Sequence, residues 1–296
     1  MKNHNLKWTG KSAGGRFGNA CFAVLLRLGV FPAYVLLVFV AGFFMLFRRN
    51  QCAESSRYLS RVFKHNVKNV SCDVYRHLFS FGMSILDKFA YFSGANIECI
   101  DECKEKILSA REKGNGVIVV VSHIGGWAIS GGKLAEYDCP TGVIGVSQEH
   151  EYIEAMAEAR RVRKLPKMIA TADEPMAMVA ALSMLRNNGI VAVHGDRYVA
   201  GKFVVASLLG SEVRIPVSAY ALAAKSSSAL VHVFCVREKI GKYRMYCSDI
   251  LHLDNLRGNE MNAQYQACVD SYMRDIETLL NKYPYQWYNF YPFWEQ

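Results

Sequence analysis

The sequence predicts an α/β protein, a central mixed, largely parallel sheet flanked by helices, with a membrane-associated helical segment at its N-terminus. Three observations carry this reading: β-branched runs bounded by glycine, helical stretches alternating with them, and a long uncharged run enclosed by basic residues. At 296 residues, 51% hydrophobic and 21% charged, the chain has ample material for a buried core, and its composition is unlike that of disordered, collagen-like or coiled-coil proteins.

The N-terminal element comes first. Residues 1–68 hold eleven Lys and Arg residues against a single acid, Glu54, whereas the whole chain carries +9, so the remainder is close to neutral. A nucleic-acid binder spreads its cations along a groove or recognition helix; here they bracket an apolar run, which points to a membrane surface and away from nucleic acid. Leu28 to Phe47 is twenty residues without a formal charge, and a helix of that length spans about 30 Å, the thickness of a bilayer core. Pro32 is expected to break the early part of such a helix, and cations at both ends leave orientation undecided. In-plane or re-entrant burial and a true span therefore stay open, with an internal core helix the plainer alternative. The segment starts late and lacks a small-residue cleavage site, so it reads as retained rather than as a signal peptide. The expected division is a basic N-terminal helical region, 1–68, and an α/β domain, 69–296.

Asp73 to Ser93 is the next helix, with Val74, Leu78, Phe81, Ile85 and Phe89 at helical spacing and Gly94 beyond its end. Cys103 to Lys113 is a short helix closed by Gly114. Gly116 to Ser122 is a continuous β-branched run, the mark of a strand buried on both faces. Further strands are expected at Thr141 to Val146, Ile190 to His194 and Ala229 to Val236, with helices near 150–163, 175–187 and 217–225. Tyr243 to Cys247 reads as a strand near the edge, and Asn259 to Lys282 as a long amphipathic helix. The nine cysteines are scattered and form no C-x-x-C pair, so neither a disulfide framework nor a zinc site is expected and a reducing compartment suits the domain.

Chemistry is expected at the carboxyl ends of the strands, where open α/β sheets bind ligands. Ser122-His123-Ile124-Gly125-Gly126-Trp127 leaves the first strong strand there. A histidine at this place can take a proton from a hydroxyl or amine, and Gly125 and Gly126 let backbone N–H groups approach a developing oxyanion. A strand-end histidine bonded to a backbone carbonyl is the plainer reading of the same residues. A second strand ends in Val193-His194-Gly195-Asp196-Arg197, where Asp196 and Arg197 pair to order a loop or Arg197 grips a phosphate. Gln148-Glu149-His150-Glu151 follows a third strand; His150 and Glu154 share one helix face, and a solvated helix N-terminus explains the group more simply than a metal does. The chain closes on Tyr283 to Trp294, eight aromatics in twelve residues with no interleaved cation. That pattern suits packing on the body or a membrane interface better than stacking on bases.

In order along the chain, the basic N-terminus, His123-Ile-Gly-Gly-Trp127, Gly195-Asp196-Arg197 and the terminal Tyr-Pro-Tyr-Gln-Trp-Tyr-Asn-Phe-Tyr resemble the bacterial lipid A late acyltransferases of the lysophospholipid acyltransferase superfamily. The resemblance covers most of the chain. It implies an enzyme on the cytoplasmic face of the inner membrane, among membrane lipids, that moves an acyl group from a carrier-protein or coenzyme A thioester to lipid A or a related glycolipid. It implies His123 as the base that deprotonates the acceptor, substrate contacts from Gly125, Gly126, Trp127 and Arg197, direct attack on the thioester without an acyl-enzyme, and no metal or other cofactor.

One position departs from the family pattern of His, four residues, then Asp or Glu: the fifth residue after His123 is Ala128, which cannot orient an imidazole. Another carboxylate substitutes, with Glu149 and Asp196 the candidates; or Ala128 is an inactivating substitution; or catalysis has been lost. An unusual donor that relaxes the need for the pair is a fourth account, and the superfamily includes divergent members that attach glycine to lipid A. The competing class is a non-catalytic lipid-binding or scaffold protein on the same fold. A soluble hydrolase ranks third, because no Gly-x-Ser-x-Gly elbow is present.

Overall fold

The computed structural model describes residues 30–145, 164–170 and 174–295. Glu149 and the helix expected near 150–163 lie outside the described residues. Buried β-branched runs become the centre of a seven-stranded sheet in the order β1-β9-β8-β2-β5-β3-β4. Its strands are β1 (Glu98–Asp101), β2 (Val117–Gly125), β3 (Thr141–Gly145), β4 (Lys167–Ala170), β5 (Ile190–His194), β8 (Ala229–Lys239) and β9 (Lys242–Cys247). All pairings are parallel except β8 with β9, so the sheet is mixed and largely parallel, as the sequence predicts. A separate antiparallel hairpin comprises β6 (Phe203–Leu208) and β7 (Ser211–Pro216).

Eight helices surround the strands among the described residues: α1 (Val30–Phe47), α2 (Arg49–Phe63), α3 (Cys72–Phe92), α4 (Lys104–Arg111), α5 (Trp127–Ala135), α6 (Glu174–Arg186), α7 (Ser218–Ser226) and α8 (Gly258–Lys282). Alternate residues of β2 face two apolar layers. Ile118, Val120 and Ile124 join α6, α7 and α8 in one, while Val117, Val119 and Val121 join α3, α4 and α5 in the other. Helix α3 ends where the sequence places its stop: Gly94 adopts a positive φ, its N–H donates to Tyr91 O, and Ala95 N–H donates to Ala90 O, which together close a Schellman cap.

Strand β9 lies near the edge, as expected, one place in and covered by β1; three other features differ from the sequence reading. Pro32 does not break α1: the helix runs through it, and the packing of Ala33, Tyr34 and Leu37 with Met83 and Leu86 of α3 holds the turn in place. Strands β1 and β4 and the β6–β7 hairpin go unread in the sequence; the two edge strands are four residues each, too short for an alternating pattern, and short edges of this kind limit edge-to-edge association. Finally, a second helix follows the apolar run, and Cys52, Tyr58, Leu59 and Val62 of α2 belong to the main buried cluster.

No single helix among the described residues is long and apolar enough to cross a membrane; α1 and α2 pass that test only together, and they are bent by 97° at Arg48. One side of α1 buries Ala33, Tyr34, Leu37 and Ala41, with Met83 and Leu86 of α3 in the same cluster. Tyr34 and Tyr243 both donate to the buried carboxylate of Asp87, which ties α1 to α3 and to the sheet. The other side of α1 is open and apolar, with Phe39 70% and Phe43 56% exposed.

Candidate active site

The site begins as an irregularity in β2. Against β8, Val121 pairs with Val233 but Gly125 pairs with Cys235, so β2 carries two more residues than its partner over this stretch and Ser122 to Ile124 bulge from the ladder. Bulges re-aim side chains, and this one contains His123. Backbone groups released from the ladder find other partners, as buried peptide groups must. Val121 O accepts from Gly195 N–H at 2.9 Å and from Tyr272 Oη–H at 2.9 Å. His123 O accepts from Tyr288 N–H at 3.0 Å. Gly125 N–H donates to Gln286 O at 2.7 Å, and Ser84 Oγ–H donates to Gly125 O.

The C-terminal aromatic segment is therefore part of the site's frame. Trp287 forms an antiparallel bridge with Ile124, and Trp287, Tyr288 and Phe293 are all buried. His77 of α3 holds the Trp287 carbonyl at 2.8 Å through Nε2, and its Nδ1 meets Ser55 Oγ of α2 at 2.8 Å. Gln286 clamps Arg237 by its backbone, Nε2–H donating to the carbonyl at 2.7 Å and Oε1 accepting the N–H at 2.8 Å.

Because β5 lies beside β2 in parallel, the loop after β5 emerges next to the bulge. Asp196, 1% exposed, meets His123 twice: Oδ1 faces Nδ1 at 2.8 Å and Oδ2 accepts the backbone N–H at 2.9 Å. Trp287 Nε1–H adds a third bond to Oδ2 at 3.1 Å. Burial is the largest single influence on this carboxyl and opposes ionisation, yet the charge and hydrogen bond of His123, with Arg197 and His194, outweigh it and hold the group below the usual carboxylate range. An ionised Asp196 accepts only, so Nδ1 of His123 carries a hydrogen, and in the neutral form of the ring Nε2 presents the lone pair.

His194 stacks on the same imidazole, with ring centroids 4.3 Å apart and planes 28° from parallel. Burial, reinforced by the neighbouring charges of His123 and Arg197, pulls its pKa down to about 3. Trp127 opens α5 with its ring 5.8 Å from that of His123 and 5.6 Å from that of Tyr288.

Among the residues expected from sequence, His123, Asp196 and Trp127 converge. Arg197 is close but arranged differently from the expected pair with Asp196: Nη2–H donates to Tyr288 O at 3.0 Å and the guanidinium lies over the Tyr291 ring at 5.2 Å. Gly125 and Gly126 border the site but do not present N–H groups to an oxyanion, because Gly125 N–H is held by Gln286 O and Gly126 N–H by Cys235 O at 2.7 Å. Gly125 is required for another reason. Its φ is +55°, and a Cβ there would lie 2.2 Å from Cys235 O and 2.9 Å from Val236 Cα. Glu149 lies outside the described residues. Ala128 is half-buried against the layer that includes Ile129 and Leu134. Trp287 and Tyr272 escaped the sequence reading because an aromatic N–H or O–H aimed at a site has no spacing signature. Among the described residues no group of three or more His, Cys, Asp or Glu side chains is arranged to hold a metal ion.

Residues 16–296 match the family model described as bacterial lipid A biosynthesis acyltransferase. The chain is also similar to the crystal structure of the 1-acyl-sn-glycerophosphate (LPA) acyltransferase PlsC from Thermotoga maritima, at 12% identity and a TM-score of 0.38, over 85% of this chain and 97% of that one. No protein of curated function matches the sequence.

Proposed function

This chain belongs to the bacterial lipid A biosynthesis acyltransferase family, and from that premise we propose that it transfers an acyl or aminoacyl group, glycyl included, from a carrier-protein or coenzyme A thioester to lipid A or a related glycolipid. His123 is the general base and Asp196 the carboxylate that orients it. The observation that carries this reading is the pair of bonds between Asp196 and His123, one to the ring and one to the backbone. They supply, from the end of β5, the carboxylate that Ala128 lacks.

The chemistry follows from the tautomer. With Nδ1–H committed to Asp196, Nε2 accepts the proton of the acceptor hydroxyl or amine as that atom attacks the thioester carbonyl. The carbonyl π pair moves onto oxygen and returns as the carbon–sulfur bond breaks. Nε2–H then passes its proton to the departing thiolate, leaving an ester or amide and a free thiol. Asp196 stabilises the imidazolium between the two transfers without taking a proton itself. Arg197 retains N–H groups beyond the one on Tyr288 O and would bind the acceptor phosphate through them. The open face of α1, followed by Arg48 and Arg49, supports seating on a membrane surface, apolar residues in the acyl region and cations at anionic headgroups, and the family resemblance implies that this surface is the cytoplasmic face of the inner membrane.

A non-catalytic lipid-binding protein is the competing reading, favoured by Ala128 alone. Mass spectrometry of lipid A from cells with the native chain, His123→Ala, Asp196→Asn and Ala128→Glu separates the two. A mass increment that needs His123 and Asp196 is expected, its size distinguishing a fatty acyl from a glycyl group. Lipid A unchanged by the native chain but modified by Ala128→Glu would mark an inactivated enzyme, and no change with any variant would favour the binding protein.

A further inference from the structure

Acyl transfer needs a hydrogen-bond donor where the carbonyl oxygen becomes an oxyanion, and most donors around His123 are already engaged. The N–H groups of Gly125 and Gly126 are bonded to carbonyls. Trp287 Nε1–H is on Asp196 and Tyr272 Oη–H is on Val121 O, while Arg197 gives one N–H to Tyr288 O and, in the reading above, turns its others to the acceptor phosphate. His194 is different. Its ring lies face to face with the base at 4.3 Å, and its Nε2 is sealed from solvent without a hydrogen-bond partner.

That sealed nitrogen fixes the tautomer. A buried N–H without an acceptor is rarer and costlier than a buried lone pair without a donor, so the hydrogen of the neutral ring sits on Nδ1. We propose that His194 is a catalytic residue whose neutral Nδ1–H donates to the thioester oxygen as it becomes an oxyanion, while His123 Nε2, one ring away, takes the acceptor's proton. The inference rests on the reading of His123 as the base. The donor keeps its proton throughout: the oxyanion forms and collapses against Nδ1–H, and the only proton transferred moves from acceptor to His123 to thiolate. A neutral donor suits this place, since a cation stacked on His123 would oppose the imidazolium that forms during the reaction.

The test uses the full-length protein with fatty acyl and glycyl thioesters of carrier protein and coenzyme A, and purified lipid A as acceptor. Relative to the native chain, His194→Phe keeps a flat ring in place and is expected to lower kcat roughly 100- to 1,000-fold with little change in KM for the thioester. His194→Gln, which retains an N–H donor, is expected to recover part of that loss. His123→Ala is the control for the underlying reading. If His123→Ala is inactive while His194→Phe keeps native kcat, the His194 assignment is wrong and the base stands; if both keep native kcat, the reading of the site falls as well. A Gln variant no better than Phe would overturn the donor role in favour of ring packing. Nuclear magnetic resonance of the imidazole nitrogens of the native protein gives a readout independent of turnover and of variant folding. An Nδ1–H tautomer at His194 is expected, and an Nε2–H tautomer would overturn the proposal whatever the kinetics.

Discussion

Replacing Asp196 by Asn tests the proposed base at a single atom. Two donors held by the frame, His123 N–H and Trp287 Nε1–H, converge on Oδ2. The amide oxygen of Asn must take that position, because an amide N–H there would face two other N–H groups. Its NH2 then occupies the place of Oδ1, 2.8 Å from Nδ1 in the native site. A donor at that point obliges Nδ1 to accept, so the hydrogen moves to Nε2 and the lone pair that should take the acceptor's proton is gone. The expected fall in kcat is on the order of 10⁴-fold, the loss the same exchange causes in a Ser-His-Asp triad, equivalent to about 5 kcal/mol of barrier. The volume is unchanged, so near-native melting is expected at neutral pH. Because the folded-state pKa of Asp196 is lowered, its stabilisation is present above the ordinary carboxylate range and is lost as pH falls through the lowered value. The variant should therefore lose less stability than the native chain on acidification. Single-turnover assays with acyl thioester and lipid A, paired with melting curves across acid pH, measure both effects. An Asn variant within tenfold of native kcat would refute the tautomer argument.

Three further outcomes are expected. Gly125→Ala forces a side chain into a left-handed backbone position and against Cys235 O; a loss of about 2 kcal/mol or more is expected in denaturant titration, and native stability would show that the β2–β8 contact yields easily. Gln286→Ala leaves the backbone N–H and C=O of Arg237 without their partners, which should cost about 2 kcal/mol or more by the same measurement and loosen the aromatic segment that carries Trp287. Phe39→Glu with Phe43→Glu changes residues on the open face of α1; circular dichroism should stay native while sedimentation with anionic vesicles weakens by tenfold or more, since burying each Phe contributes about 1.5–3 kcal/mol. Undiminished vesicle binding would remove α1 from the membrane contact.

Local patterns sufficed wherever one element states its own environment. The β-branched run after Gly116 has to be buried on both faces wherever it lies, and Ile190–His194 is a strand with the bounds its sequence suggests. The stop of α3 at Gly94 is equally local, because the cap is closed by residues within one turn. Charge segregation in the first 68 residues is likewise a property of the sequence alone. The hairpin defeated the same reasoning: its turn places Leu209 and Gly210 at positive φ, a geometry usually announced by Asn-Gly.

What only the tertiary structure decided is which groups meet. Ala128 leaves a gap that the sequence can register but not fill, and its two candidate carboxylates, Glu149 and Asp196, both follow strands. Parallel pairing of β5 beside β2 brings Asp196 to His123 across a separation of 73 residues. The bulge that turns His123 out of the ladder, and the return of the chain's end to hold it through Gln286, Trp287 and Tyr288, are products of the same long-range packing. Hydrophobic periodicity encodes the burial of each element, which is a local quantity. Strand order, and with it the geometry of the site, is a property of the assembled sheet that no single stretch of sequence carries.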